Sequence, residues 1–150
     1  MNSEQQMGNP EVILAKPAGF CFGVSRAVRM TEKAARNGAY ALGYIVHNET
    51  VVNELKKKGL LLVKRPEEIP EGATVIIRAH GERESIYKLL REKGLKIIDT
   101  TCPCVKKIHD IVKEEREKGR EIIIIGTKDH PEALAISEKA GSAEVFETEE

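Results

Sequence analysis

Residues 75–98 read VIIRAHGERESIYKLLREKGLKII. The apolar, β-branched run at its start gives way to His80 and then to a charged stretch with helical periodicity. Gly94 ends that stretch, and a second apolar run follows. This order of strand, loop, helix, glycine and strand describes a βαβ crossover, which places both strands parallel in one sheet. The order recurs at 44–63, YIVHNETVVNELKKKGLLLV, and at 122–146, IIIIGTKDHPEALAISEKAGSAEVF. In all three a histidine follows the first strand, and the glycine that ends the helix lies 12, 14 or 11 residues on (47 to 59, 80 to 94, 130 to 141). Ordinary βαβ rhythm gives comparable spacings without common ancestry. It does not explain a histidine at the same station each time.

Outward from this core the alternation continues. Val12–Ala15, Ala41–Val46, Leu60–Val63, Thr74–Ile77, Lys96–Ile98, Glu121–Ile125 and Glu144–Phe146 read as strands. Ser25–Asn37, Glu49–Lys58, Glu82–Lys93, Pro103–Lys118 and Pro131–Lys139 read as helices, followed in turn by Gly38, Gly59, Gly94, Gly119 and Gly141. The expectation is an α/β fold built on mostly parallel sheets covered by helices. Residues 1–10 are polar and read as a disordered lead-in. Thr148–Glu150 reads as a helix N-cap with an acidic first turn, so the chain is expected to stop where a helix begins.

Composition narrows the classes of function. The 150 residues carry 24 Lys+Arg against 24 Asp+Glu, a balance that argues against nucleic-acid binding by bulk electrostatics. No apolar run is long enough to span a bilayer, and no membrane partner is expected. Three cysteines without an export signal point to a reducing, cytoplasmic setting, where metal or redox chemistry replaces disulfides.

The histidine stations have a physical meaning. Ligands of open α/β sheets bind beyond the carboxyl ends of the strands, where helix N-termini favour anions. His47, His80 and His130 each add an imidazole there. A lone loop histidine is more often structural than a ligand, but three at equivalent stations reverse that balance. His109, inside a predicted helix, keeps the structural reading. Cys21 lies in GFCFG and Cys102 in DTTCPC, both at strand-to-helix junctions on the same rim. Pro103 at the first helical position makes Cys102 an N-cap, where free N–H groups favour a thiolate. The residues alone leave two readings open: thiolates from separate loops on a metal or cluster, or two small buried hydrophobes. Cys104 falls in the same first turn and diverges from Cys102, so packing is its better reading. Glu132 is either an acidic first-turn residue or a proton donor beside a ligand.

Together, AGFCFGVSRAV at 18–28, GYIVHNETVVNEL at 43–55, RAHGE at 78–82, DTTCPCVKKIH at 99–109 and GTKDHPE at 126–132 resemble the 4-hydroxy-3-methylbut-2-enyl diphosphate reductase (IspH/LytB) family, in that family's order. The resemblance implies a three-lobed, trefoil-like fold of αβα units, with 11–98 as the first unit, 99–150 as part of the second, and the third absent. It implies a [4Fe–4S] cluster with Cys21 and Cys102 as two of three cysteine ligands, the third lying outside this chain. It places His47, His80 and His130 against an allylic diphosphate, with Glu132 and His130 in catalysis. It implies reductive dehydroxylation to isopentenyl and dimethylallyl diphosphate, the last step of the non-mevalonate pathway, with electrons from a ferredoxin or flavodoxin. Two departures stand out: Cys104 occupies a position that is usually apolar, and ALAIS replaces the family's glycine-containing continuation after HPE. The competing expectations are a non-catalytic or split-gene subunit needing a partner chain, and a generic phosphate-binding domain with structural cysteines.

Overall fold

The computed structural model describes residues 12–16 and 18–147. After an extended lead, α1 (Phe22–Ala35) runs into β1 (Ala39–Leu42), α2 (Glu49–Lys57) and β2 (Leu60–Val63). A 3-10 turn at Pro66–Glu68 precedes β3 (Thr74–Ile77), α3 (Glu84–Glu92) and β4 (Lys96–Asp99). Then follow α4 (Pro103–Glu117), β5 (Ile124–Ile125), α5 (Pro131–Lys139) and β6 (Val145–Phe146).

The first four strands form one parallel sheet in the order β2-β1-β3-β4. Side chains alternate across it as a pleated strand requires. Ala39, Ala41 and Ile76 pack with Ala27 and Ala35 of α1 and Val52 and Leu55 of α2. Tyr40, Val75 and Ile77 face the other way, onto Ile69, Leu90 of α3 and Leu95. The result is a helix–sheet–helix sandwich, which explains why its strands are apolar on both faces. The chain moves outward from β1 to β2 and in the opposite sense from β3 to β4. The topological switch point therefore falls between β1 and β3, where an α/β sheet opens a crevice at its carboxyl edge. β5 and β6 form a separate two-stranded parallel sheet.

The expected alternation holds, with shifts at several element ends. The segment Val12–Ala15 is not a strand; Val12 is 92% exposed, and a β-prone segment with no sheet edge to pair with does not form one alone. The strand expected at Ala41–Val46 instead covers Ala39–Leu42, because Gly43 takes φ +74° and turns the chain out of the sheet. Ile45 and Val46 are buried as expected, but in the loop. Helix α1 begins at Phe22 rather than Ser25. The run at Glu121–Ile125 pairs only at its last two residues. The expected lead-in at 1–10 and the helix start at Thr148 lie outside the described residues.

Candidate active site at the strand carboxyl ends

Each histidine lies in the loop between a strand and the next helix. His47 precedes α2, whose N-cap Asn48 accepts a hydrogen bond from the Val51 N–H at 3.0 Å. His80 sits in the tight β3–α3 turn, closed by the Gly81 N–H donating to the Arg78 carbonyl at 3.1 Å. His130 is itself the N-cap of α5, and its Nδ1 accepts from the Glu132 N–H at 3.3 Å. That bond leaves Nε2 to carry the proton of the neutral ring, as a donor. Although they are spread over 83 residues of sequence (47 to 130), the three rings converge. Their centroids lie 5.1 Å apart for His47 and His80, 5.7 Å for His80 and His130, and 6.4 Å for His47 and His130. Burial holds the His80 imidazole below its ordinary range, and the neighbouring His47, His130 and Arg78 reinforce the effect. Three imidazoles beside two helix N-termini make a site for an anion with several oxygens.

The cysteines lie on the same rim. Cys21 is the N-cap of α1 and is exposed; Cys102 is the N-cap of α4 and is partly buried. Gly23, in the first turn of α1, is the cradle between them: a Cβ there would stand 2.5 Å from the Cys102 Sγ. Only glycine lets α1 approach that sulfur so closely. The Cys102 N–H donates to the Ala79 carbonyl at 2.9 Å, joining this station to the turn that carries His80. From α1, Arg26 Nη1 donates to the Thr100 and Thr101 carbonyls at 3.4 and 3.3 Å, bracing the two cysteine loops together. Two thiols at helix N-termini, one exposed and one half-buried, suit two corners of an iron–sulfur cluster. Among the described residues no group of three His, Cys, Asp or Glu side chains is arranged to hold a metal ion. Cys104 is exposed in the first turn of α4, so the packing role expected for it is not what the structure shows.

Beside His47 and His80 lies a cavity of about 260 Å³. Phe20, Val24, Val46 and Ala79 give it an apolar wall, and His47, Asn48 and His80 a polar one. Glu132 is partly buried in the first turn of α5.

Some neighbours of the site were not singled out by the sequence reading. Arg78 and Glu82 straddle His80 and form an ion pair at 2.8 Å. In sequence they look like an ordinary i,i+4 pair on a helix. Asp99, Thr101, Lys106, Tyr87 and His109 line a second cavity, of about 290 Å³. There burial raises the Asp99 carboxyl, but hydrogen bonds from Lys106 and Thr101 more than offset this and hold it below its ordinary value. Burial pushes the Tyr87 hydroxyl up to about 12. His109 is buried as expected, against the turn that carries His80: a Cβ on Gly81 would lie 3.0 Å from its Cε1.

The sequence profile of the family described as LytB protein matches residues 12–150. A 4-hydroxy-3-methylbut-2-enyl diphosphate reductase of Clostridioides difficile (strain 630) is 50% identical over 127 residues, 83% of this chain and 46% of that protein. Its counterpart from Caldanaerobacter subterraneus subsp. tengcongensis is 41% identical over 133 residues, 85% of this chain and 46% of that one. Among solved structures, the E-1-hydroxy-2-methyl-but-2-enyl-4-diphosphate reductase of Plasmodium falciparum superposes with a TM-score of 0.84 and 34% identity, covering 89% of this chain and 43% of its own. The chain thus spans about half the length of the curated relatives it matches. With its parallel α/β units and its match to the profile over nearly its whole length, this chain belongs to the LytB protein family.

Proposed function

We propose that this chain supplies one part of the active site of a 4-hydroxy-3-methylbut-2-enyl diphosphate reductase. The observation that carries the reading is the convergence of three histidines from three separate loops within 6.4 Å, beside two helix-capping cysteines. His47, His80 and His130 hold the diphosphate, and the apolar wall of Phe20, Val24, Val46 and Ala79 seats the five-carbon chain. Removing the hydroxyl takes two electrons and two protons and releases water. Glu132, beside the N-cap His130, passes a proton to the departing oxygen, and His130 Nε2–H steadies the phosphate. Cys21 and Cys102 would hold a [4Fe–4S] cluster, which when bound supplies the electrons and a Lewis-acidic iron. Its third cysteine comes from outside this chain, and an external ferredoxin- or flavodoxin-type protein of the cytoplasm refills it with electrons. In this reading residues 11–98 are one αβα unit and 99–150 the first part of the next.

A second reading is a subunit that binds diphosphate but needs a partner chain to complete the cluster site. Anaerobic iron–sulfide reconstitution separates the two. A stable species with about four irons per chain, lost in both Cys21→Ala and Cys102→Ala, supports the cluster-bearing reading and removes the second. Iron content indifferent to both substitutions would sink the assignment of Cys21 and Cys102.

A further inference from the structure

His80 stands between two residues whose side chains reach back beneath it. Arg78 follows the last residue of β3, and Glu82 comes two residues before α3. Their side chains are only 20% and 9% exposed, and Arg78 Nη2 meets Glu82 Oε2 at 2.8 Å. The other carboxylate oxygen accepts the Arg83 N–H at 3.1 Å, so both oxygens of Glu82 are engaged. Gly81, at φ +80°, allows the turn to close over the pair. On its far side the guanidinium reaches the loop that carries His47: Nη1 lies 3.6 Å from where a Cβ on Gly43 would stand. A buried pair of this kind adds little net stability compared with apolar side chains of similar size, so a role in fixing geometry is the natural one to test.

We infer that Arg78 and Glu82 form a strut that sets the turn of His80 and its distance from His47, making both of them positioning residues for anion binding. The inference rests on the proposed diphosphate site. Around His80 the charged and titratable groups are His47 from the β1–α2 loop, His130 from α5, and Arg78 and Glu82 from its own turn, with His109 of α4 behind Gly81. Arg78 is a cation that disfavours a proton on His80, and Glu82, its paired carboxylate, carries the opposite charge. Removing one member should therefore move the His80 titration in one direction, and removing the other should move it in the opposite direction. Charge alone would shift the midpoint but leave the His47–His80 ring contact in place, whereas loss of a strut also separates the rings.

The test uses the chain itself with inorganic pyrophosphate as probe. Calorimetric titration across neutral pH gives affinity, and the imidazole proton resonances of the ligand-free chain give the His80 midpoint. Arg78→Met should raise the midpoint, Glu82→Gln should lower it, and each should weaken pyrophosphate binding by about tenfold or more. Arg78→Lys should restore the midpoint while regaining only part of the affinity, because an ammonium lacks the planar fork. Should the single variants unfold, Arg78→Met/Glu82→Leu removes both charges and leaves neither unpaired. A folded double variant that binds pyrophosphate with the parent's affinity and pH profile overturns the inference. If the parent chain fails to bind pyrophosphate, the diphosphate reading falls. The ring contact then still decides: loss of cross-relaxation between the His47 and His80 ring protons in Arg78→Met and Glu82→Gln upholds the strut, and its retention in both overturns it.

Discussion

Two imidazoles make the folded state sensitive to acid. His80 and His109 are both held below the ordinary histidine value of 6.5, in each case chiefly by burial. Below about pH 6.5 the unfolded chain therefore binds protons that the folded chain resists, so stability falls as pH falls through and below that value. Urea midpoints measured from pH 7.5 down to 5.5 should decline, and His109→Gln, which removes one of the two imidazoles held down by burial, should flatten the decline. A flat profile in the parent would contradict the burial argument. Anion binding runs the other way. A protonated imidazole attracts phosphate, so pyrophosphate affinity should increase as pH falls over the same range, and the complex should take up protons from buffer. Equal calorimetric heats in buffers of different ionisation enthalpy would contradict that coupling.

The elements are short, and their ends are set by contacts rather than by propensity. Gly23 lies inside α1 although glycine disfavours helix, because the Cys102 sulfur occupies the space its side chain would need. Gly23→Ala should destabilise the fold by about 1–3 kcal/mol and loosen any iron held at Cys21 and Cys102, read by thermal melting and iron retention. Asn48→Ala removes the side-chain cap of α2 and should cost about 1 kcal/mol, while weakening pyrophosphate binding through His47. These cases also show what could be read in the sequence. The strand–helix rhythm, the histidine stations and the N-cap position of Cys102 were visible because each rests on local chemistry: apolar periodicity, turn glycines and a proline at the first helical position. The start of α1 and the end of β1 were misplaced because they depend on a distant sulfur and on the turn at Gly43. The Arg78–Glu82 pair and the brace from Arg26 to the Thr100 and Thr101 carbonyls were hidden for the same reason. Sequence spacing does not reveal that a guanidinium crosses from one loop to another.

At the scale of the whole molecule the two sheets are unequal, and the site draws on both. His47 and His80 rise from a four-stranded sheet packed on both faces, whereas His130 rises from α5, beside strands of only two residues each. Ile123 and Ile125 remain 67% and 64% exposed there, so that sheet lacks the two-sided cover a parallel sheet needs. Apart from the small buried side chains of Ala133 and Ala135, what positions α5 is a handful of polar links. Glu138 accepts the Ser85 N–H at 3.2 Å, Lys139 pairs with Glu84 at 3.6 Å, and Arg116 donates to the Lys139 carbonyl at 3.5 Å. Such exposed links are individually weak, so the segment from β5 to β6 should open well below the global unfolding free energy. Amides of Ile124, Ile125 and Val145 should exchange faster than those of Val75, Ile76 and Ile77, and Glu138→Ala should widen the gap. Opening of this kind carries His130 away from a His47–His80 pair that stays intact. A ligand that touches all three rings binds only the closed arrangement and must stabilise it by mass action. Pyrophosphate should therefore slow exchange most in α5 and β5, with little effect on β1 and β3. Uniform slowing across both sheets would mean that the two move as one body. No slowing in α5 would mean that His130 takes no part in holding the anion.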